Sequence, residues 1–153
     1  MTEERHKEAA RGYLFLKMPQ EALEEIKSLD SSIRTQQEVL DLALAAEMML
    51  EDWNAAAATA GLLCNIDPNQ SRYFIHAAYC LHEVGDTEKA KQLLLSGPKE
   101  LLDEPLFHYN MACYLATLNQ PENALHYLNK SFELDETLRE VAANDSDLKE
   151  LTW

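Results

Sequence analysis

The chain has 153 residues, 46% of them hydrophobic, and a formal net charge of -14. This size and composition suit one domain with a buried core, and the small numbers of glycine (4) and proline (5) favour helices. The acidic excess argues against binding to nucleic acid or to an anionic membrane, because both need clustered lysine and arginine. No apolar run approaches the roughly 18 residues that a membrane span requires.

The cysteines and the first residues indicate where the protein resides. Cys64, Cys80 and Cys113 are widely spaced and form no C-x-x-C pair. An odd number of cysteines without a disulfide framework is typical of reduced thiols. The stretch MTEERHKEAARGY lacks the apolar core of a signal peptide. We therefore expect a cytoplasmic protein.

A 34-residue period runs through most of the chain. It divides the sequence into the units 3–36, 37–70, 71–104 and 105–138, which a final segment, 139–153, follows. One column of the period holds alanine in every unit, at Ala22, Ala56, Ala90 and Ala124. A column twelve residues upstream holds Ala10, Leu44, Ala78 and Ala112. A strict period without insertions predicts a repeat protein that forms a single domain over residues 1–153.

Each unit has the pattern of two amphipathic helices joined by a short turn. Pro19 suits the first turn of the second helix in the first unit, where no amide donor is needed, and Pro121 does so in the fourth. In the third unit Gly85 breaks the pattern, and Asp86 or Thr87 can cap the next helix. One hairpin cannot bury its apolar face alone, so we expect the units to stack.

The period, the small residues of each first helix and the alanine of each second helix resemble tetratricopeptide repeats. The resemblance covers about residues 3–137. It implies an all-α fold, an alpha-alpha superhelix of four tandem helical hairpins with a C-terminal capping segment. Glu47 departs from the family pattern, because it stands where an aromatic residue is expected late in the first helix.

The final segment is expected to cap the stack, since the last repeat of a solenoid otherwise exposes apolar surface. Asn144, Asp145 and Ser146 are residues that start helices, and Leu148 can cover the end of the last repeat. Trp153 can serve either as part of this cap or as a binding epitope.

The sequence carries no motif for catalysis or for metal binding. Its five histidines form no H-E-x-x-H motif and show no metal-ligand spacing. There is no glycine-rich phosphate loop and no nucleophile elbow. We therefore expect no enzymatic activity, no cofactor and no metal.

The resemblance implies that the first helices line a concave groove, where members of this family bind peptides or helices of other proteins. Helical spacing selects the residues of each first helix that point away from its packing face. The candidate partner-binding residues are Lys7, Arg11, Leu42, Met49, Arg72, His76, Tyr79, Tyr109 and Asn110. The methionine and tyrosine side chains among them suit adaptable recognition.

Three of these residues, Lys7, Arg11 and Arg72, form a basic island on an acidic chain. Some family members hold the acidic C-terminus of heat-shock chaperones in a clamp of lysine, asparagine and arginine. Lys7 and Arg72 match that clamp in charge and place, but Leu42 replaces one of its asparagines. The island is therefore either an incomplete carboxylate clamp or a set of solvated charges.

The expected function is protein–protein interaction, as an adaptor or scaffold that binds a peptide or helical segment of a partner protein. The stretch LLCNIDPNQSRYF followed by HAAYCLHEVGD also resembles type III secretion chaperones, which shield apolar clients. A third interpretation is a structural subunit that self-associates through the same apolar face, as a homodimer. All three exclude nucleic acid and membrane as partners.

Overall fold

The computed structural model describes residues 2–153, and its regular structure is helical throughout that range, without a strand. The α-helices are α1 (Glu3–Phe15), α2 (Pro19–Lys27), α3 (Ser31–Arg34), α4 (Gln37–Met49), α5 (Trp53–Ile66), α6 (Ser71–Glu83), α7 (Thr87–Leu95), α8 (Pro105–Thr117), α9 (Pro121–Leu134) and α10 (Leu138–Ala143). The 3₁₀ helices are η1 (Lys99–Asp103) and η2 (Ser146–Leu148). The all-α prediction is confirmed.

The 34-residue period of the sequence is also a period of the structure. The first helices α1, α4, α6 and α8 begin at residues 3, 37, 71 and 105. The second helices α2, α5, α7 and α9 begin at residues 19, 53, 87 and 121. Each first helix packs against the second helix that follows it. Pro19 and Pro121 start their helices as expected.

Each hairpin turns through one residue in the left-handed conformation. These residues are Lys17 (φ 60°), Glu51 (φ 56°), Gly85 (φ 89°) and Asn119 (φ 60°), so they too are 34 positions apart. In the third turn the amide of Gly85 donates to the carbonyl of His82, and that of Asp86 donates to the carbonyl of Leu81, both at 2.9 Å. This pair of bonds is the Schellman motif, which recurs in all four turns. It satisfies carbonyls that the end of the first helix leaves unpaired.

The alanine column lies at the contact between the two helices of each hairpin. Ala22, Ala56, Ala90 and Ala124 are all fully buried. Opposite them, Ala10, Ala78 and Ala112 are fully buried as well, and Leu44 is 3% exposed. Small side chains on both helices let the two backbones approach closely, which explains why the sequence repeats alanine at these positions.

The chain forms two compact units, one extending to Asp67 and the other comprising Pro68–Trp153. Each contains two hairpins. In the first unit α2 packs on α4, and a core cluster of apolar residues includes Ile26, Leu29 and Val39. In the second unit α7 packs on α8, around buried side chains such as Tyr73, Tyr114 and Phe132. The single domain expected from the sequence stays a prediction.

The C-terminal segment packs on the last hairpin. Helix α10 contacts α9, and η2 contacts α8. Ala142 is 3% exposed and Leu148 is 1% exposed, so both contribute to the core of the second unit. The ring of Trp153 lies 5.3 Å from that of Phe132, yet 43% of Trp153 is exposed. Trp153 therefore covers part of the core and still presents surface.

Glu47, which departs from the family pattern, has a local partner. Its carboxylate accepts a 2.7 Å hydrogen bond from the hydroxyl of Thr59, which joins α4 to α5. Burial raises the pKa of Glu47 above the ordinary value of 4.5. A polar pair thus replaces the aromatic contact expected here.

None of the helices in residues 2–153 has the length and apolar character needed to cross a membrane.

Substitutions at the left-handed residues Lys17 and Gly85 should change the free energy of unfolding in opposite directions. Lys17→Gly removes a strained side chain, whereas Gly85→Ala introduces one. Strain on a side chain at this φ costs roughly 1–2 kcal/mol, and the extra backbone entropy of glycine costs roughly 0.5–1 kcal/mol. Lys17→Gly should therefore raise the free energy of unfolding by about 0.5–1 kcal/mol, and Gly85→Ala should lower it by a similar amount. Apart from residues 84–86 themselves, no described atom lies within 4 Å of the Cβ that Gly85→Ala adds. Urea titrations of both variants test this, and changes of the same sign would contradict it.

Glu47→Gln should raise the melting temperature at neutral pH. Glutamine can still accept the hydrogen bond from Thr59 but does not bring a charge into a partly buried site. Because the folded-state pKa of Glu47 lies above its unfolded value, the wild type loses stability relative to the variant as the pH rises through that interval. Thermal melts should show the advantage of the variant near neutral pH and its loss below about pH 4. An advantage that does not depend on pH would contradict this account.

Candidate functional site

A cleft of about 340 Å³ lies in the second unit, where the C-terminal segment covers part of helices α6 and α8. The lining residues are Tyr79, His82 and Glu83 of α6, Tyr109, Asn110, Cys113 and Tyr114 of α8, and Asp145, Ser146 and Asp147 at the start of η2. Three of the predicted partner-binding residues, Tyr79, Tyr109 and Asn110, are among them.

Asp145 joins the C-terminal segment to α8. Its Oδ2 accepts a 2.7 Å hydrogen bond from the hydroxyl of Tyr109 and a 3.6 Å contact from the thiol of Cys113. Its Oδ1 accepts the backbone amide of Asp147 at 3.0 Å, which caps η2. Tyr109 is consequently only 5% exposed, so the molecule's own chain covers this predicted partner-binding residue.

Asp147 joins the same segment to α6. Its Oδ2 lies 2.8 Å from Nε2 of His82, which donates the hydrogen bond because an ionised carboxylate can only accept. The other ring nitrogen of His82 lies 2.8 Å from the hydroxyl of Thr87, the first residue of α7. The His82 ring also packs against Tyr114, with centroids 4.9 Å apart. These contacts connect two hairpins of the second unit with its C-terminal segment.

The cleft is lined by acidic side chains, those of Glu83, Asp145 and Asp147. Burial, together with the charges of Asp145 and Asp147, raises the pKa of the Cys113 thiol, which therefore stays protonated. Burial and the hydrogen bond to Asp145 raise the pKa of Tyr109. Within the described chain, the side chains that line the cleft include no lysine or arginine. The buried hydroxyl of Tyr114 has no hydrogen-bond partner among residues 2–153.

In the first unit, the predicted basic residues are paired with acidic side chains of the same unit. Lys7 is 4% exposed, and its ammonium group lies 2.9 Å from Glu3 and 3.3 Å from Glu38. The hydrogen bond from Lys7 to Glu3 is the main cause that raises the pKa of Lys7. Arg11 also contacts Glu38. This arrangement neutralises the two cations internally.

The remaining candidates differ in exposure. In the first unit Leu42 packs against the core cluster, whereas Met49 is 40% exposed. In the second unit the guanidinium of Arg72 lies 4.7 Å from the centroid of the Tyr73 ring, His76 is half-buried, and Tyr79 is 38% exposed. Binding by each of these residues stays a prediction.

The sequence analysis missed the cluster of His82, Cys113, Asp145 and Asp147. Asp145 was expected to start a helix, and its side chain does cap η2. Cys113 precedes Asp145 by 32 residues, so their contact depends on how the C-terminal segment folds back. In the first unit, Phe15 and Leu16 are strongly exposed, at 85% and 62%.

One family model matches part of the chain. Residues 107–138, which span α8 and α9, match the family described as tetratricopeptide repeat. This part of the chain is therefore similar to a tetratricopeptide repeat. The match covers the fourth of the units defined by the 34-residue period, and the helices of the other three begin in the same phase. No curated protein matches the chain.

Solved structures of MamA share the fold of this chain. One crystal structure of MamA has a TM-score of 0.77 at 14% identity, over 90% of this chain and 75% of that one. A second has a TM-score of 0.75 at 16% identity, over 90% and 80%. The structure "MamA MSR-1 C2" has a TM-score of 0.75 at 15% identity, over 84% and 74%. Likeness at these identities shows the fold alone.

Tyr109→Phe should loosen the C-terminal segment. The change removes the hydroxyl that donates to Asp145, and a hydrogen bond to a charged group contributes about 1.5–3 kcal/mol. Amides of residues 144–148 should therefore exchange with deuterium about 10-fold faster or more. Hydrogen-exchange mass spectrometry measures this, with Tyr127→Phe on α9 as the matched control. Equal exchange in the two variants would show that Tyr109 does not hold the segment.

Proposed function

We propose that the chain is a protein–protein interaction module, an adaptor or scaffold, that binds a partner's peptide or helical segment on the faces of its first helices. Tetratricopeptide repeats in general bind other proteins, and the fold supports that class. One observation in the second unit carries the proposal further. The first helices α6 and α8 already hold a polypeptide segment there, which is the chain's own C-terminal segment.

The contacts that hold this C-terminal segment indicate how a partner's segment would be bound. Polar groups of α6 and α8 bind two carboxylates, through Tyr109 to Asp145 and through His82 to Asp147. One apolar anchor, Leu148, is 1% exposed. Peptide recognition commonly combines an apolar anchor with a few polar groups that set direction. The second unit thus has side chains suited to an extended segment with acidic residues.

Exposed apolar side chains supply further binding surface. Tyr79 in the second unit and Met49 in the first are both on first helices and partly exposed. Burial of apolar area contributes roughly 25 cal/mol per Å², so contacts with such side chains would provide most of the affinity. A partner carboxylate bound by Lys7 and Arg11 would first have to displace Glu38. That requirement favours a structural role for these two cations.

A second candidate function is self-association or the shielding of an apolar client. The observation that favours it is the pair Phe15 and Leu16, which are adjacent and exposed at the end of α1. A homodimer or a chaperone–client complex would cover such a pair. The cytoplasmic location remains part of this proposal, and it agrees with three cysteines that are free and buried.

Arginine substitutions on first helices and on second helices should distinguish partner binding by the first helices from the second candidate function. Met49→Arg and Tyr79→Arg change first helices, whereas the matched controls Leu62→Arg and Leu95→Arg change apolar residues that are 49% and 53% exposed on second helices. The wild type would first be used to capture a partner from native lysate, and this partner would be purified. It should then bind the first-helix variants at least about 10-fold more weakly than it binds the wild type. The controls should bind it like the wild type.

Two outcomes would contradict the proposal. Equal or greater loss in the control variants would place the partner on the second helices. If no protein is captured, and the wild type sediments as an oligomer that Phe15→Glu converts to a monomer, the exposed residues serve self-association instead. Circular dichroism of each variant verifies that its helices are intact.

A further inference from the structure

We infer that the cleft of the second unit is a metal-ion site, in which Cys113, Asp145 and Asp147 bind a divalent cation of the zinc class. One ligand atom from each residue lies within 4.8 Å of the other two. The distance between Cys113 Sγ and Asp145 Oδ2 is 3.6 Å. In a tetrahedral zinc site, with Zn–S near 2.3 Å and Zn–O near 2.0 Å, sulfur and oxygen ligands are about 3.5 Å apart. The two side chains therefore already have the separation of zinc ligands.

The charge of the cleft favours a cation. Asp145, Asp147 and Glu83 line it, and the described lining side chains provide His82 as the one group that can carry a positive charge. Two carboxylates so close to each other and to a thiol repel once they are ionised. A divalent cation would balance the negative charge of these carboxylates.

Neighbouring groups hold the carboxylates in place. Tyr109 donates to Asp145 at 2.7 Å, and His82 donates to Asp147 at 2.8 Å. His82 is in turn fixed by Thr87. Such hydrogen bonds to metal-binding carboxylates orient them and tune affinity, and their loss typically weakens binding about 10–100-fold. Tyr109 and His82 are therefore positioning residues for the proposed site.

A second, independent observation also indicates a ligand. The hydroxyl of Tyr114 is buried without a hydrogen-bond partner among residues 2–153, and it lines the same cleft. Tyr114 follows Cys113 directly in α8, and its ring packs against that of His82, which donates to Asp147. A site with three protein ligands keeps an open position for water. A metal-bound water would supply the partner that this hydroxyl lacks.

The ligand set selects the class of metal. A thiolate favours zinc and similar cations over calcium and magnesium, which prefer oxygen ligands only. On binding, the Cys113 thiol would release its proton to solvent as the sulfur–metal bond forms. The metal would then tie the C-terminal segment to α8. This inference does not depend on the proposed partner-binding function.

Zinc and cobalt titrations of the full chain, after treatment with a chelator, test the site. Isothermal titration with zinc chloride should show one ion per chain, and cobalt chloride should give the near-ultraviolet charge-transfer band of a thiolate–cobalt bond. Cys113→Ser should abolish this band, and Asp147→Asn should weaken zinc binding at least about 10-fold. The matched controls Cys64→Ser, in the first unit, and Asp103→Asn, on η1, should bind zinc like the wild type.

Three results would overturn the inference. They are an absence of zinc binding by the wild type, a cobalt band that survives in Cys113→Ser, and zinc binding that is unchanged in Asp147→Asn. Asp147 is partly exposed, so its variant should fold even if Cys113→Ser does not. Tyr109→Phe provides a further check, because it should weaken zinc binding about 10-fold while it leaves the cobalt band in place.

Discussion

The close approach of two helices at an alanine is the contact on which the rest of this structure depends. Ala22, Ala56, Ala90 and Ala124 are fully buried, each on the second helix of its hairpin. A larger side chain at any of them would push the helices apart, because protein interiors have no spare volume for it. This contact sets the spacing of the two helices in each hairpin.

Most of the fold could be predicted because it arises from patterns within one unit of the repeat. The alanine column and the helix-starting prolines Pro19 and Pro121 are local signals, and the helices begin where they indicate. The sequence predicted a break at Gly85 but not the left-handed conformation of the turns, which residues such as Lys17 and Glu51 rarely adopt. There the Schellman hydrogen bonds and the hairpin packing outweigh the preference of the single residue.

The candidate site was harder to predict because its parts come from distant segments. Tyr79, Tyr109 and Asn110 follow from helical spacing, and the structure brings them to one cleft. The partners of Tyr109 and His82 lie after the last repeat, where no period constrains the sequence. A short segment with two aspartates occupies the face that the repeats would otherwise present. The side chains that hold the C-terminal segment thus include Tyr109, a predicted partner-binding residue.

The central claim is that the first helices bind a partner. Photo-crosslinking in living cells tests this claim most directly. A photoreactive amino acid would replace Tyr79 on α6 in one protein and Leu95 on α7 in another, both exposed positions of the second unit. If the first helices bind the partner, a crosslink to a second protein should form from position 79 and none from position 95. A crosslink from position 95 alone would contradict it.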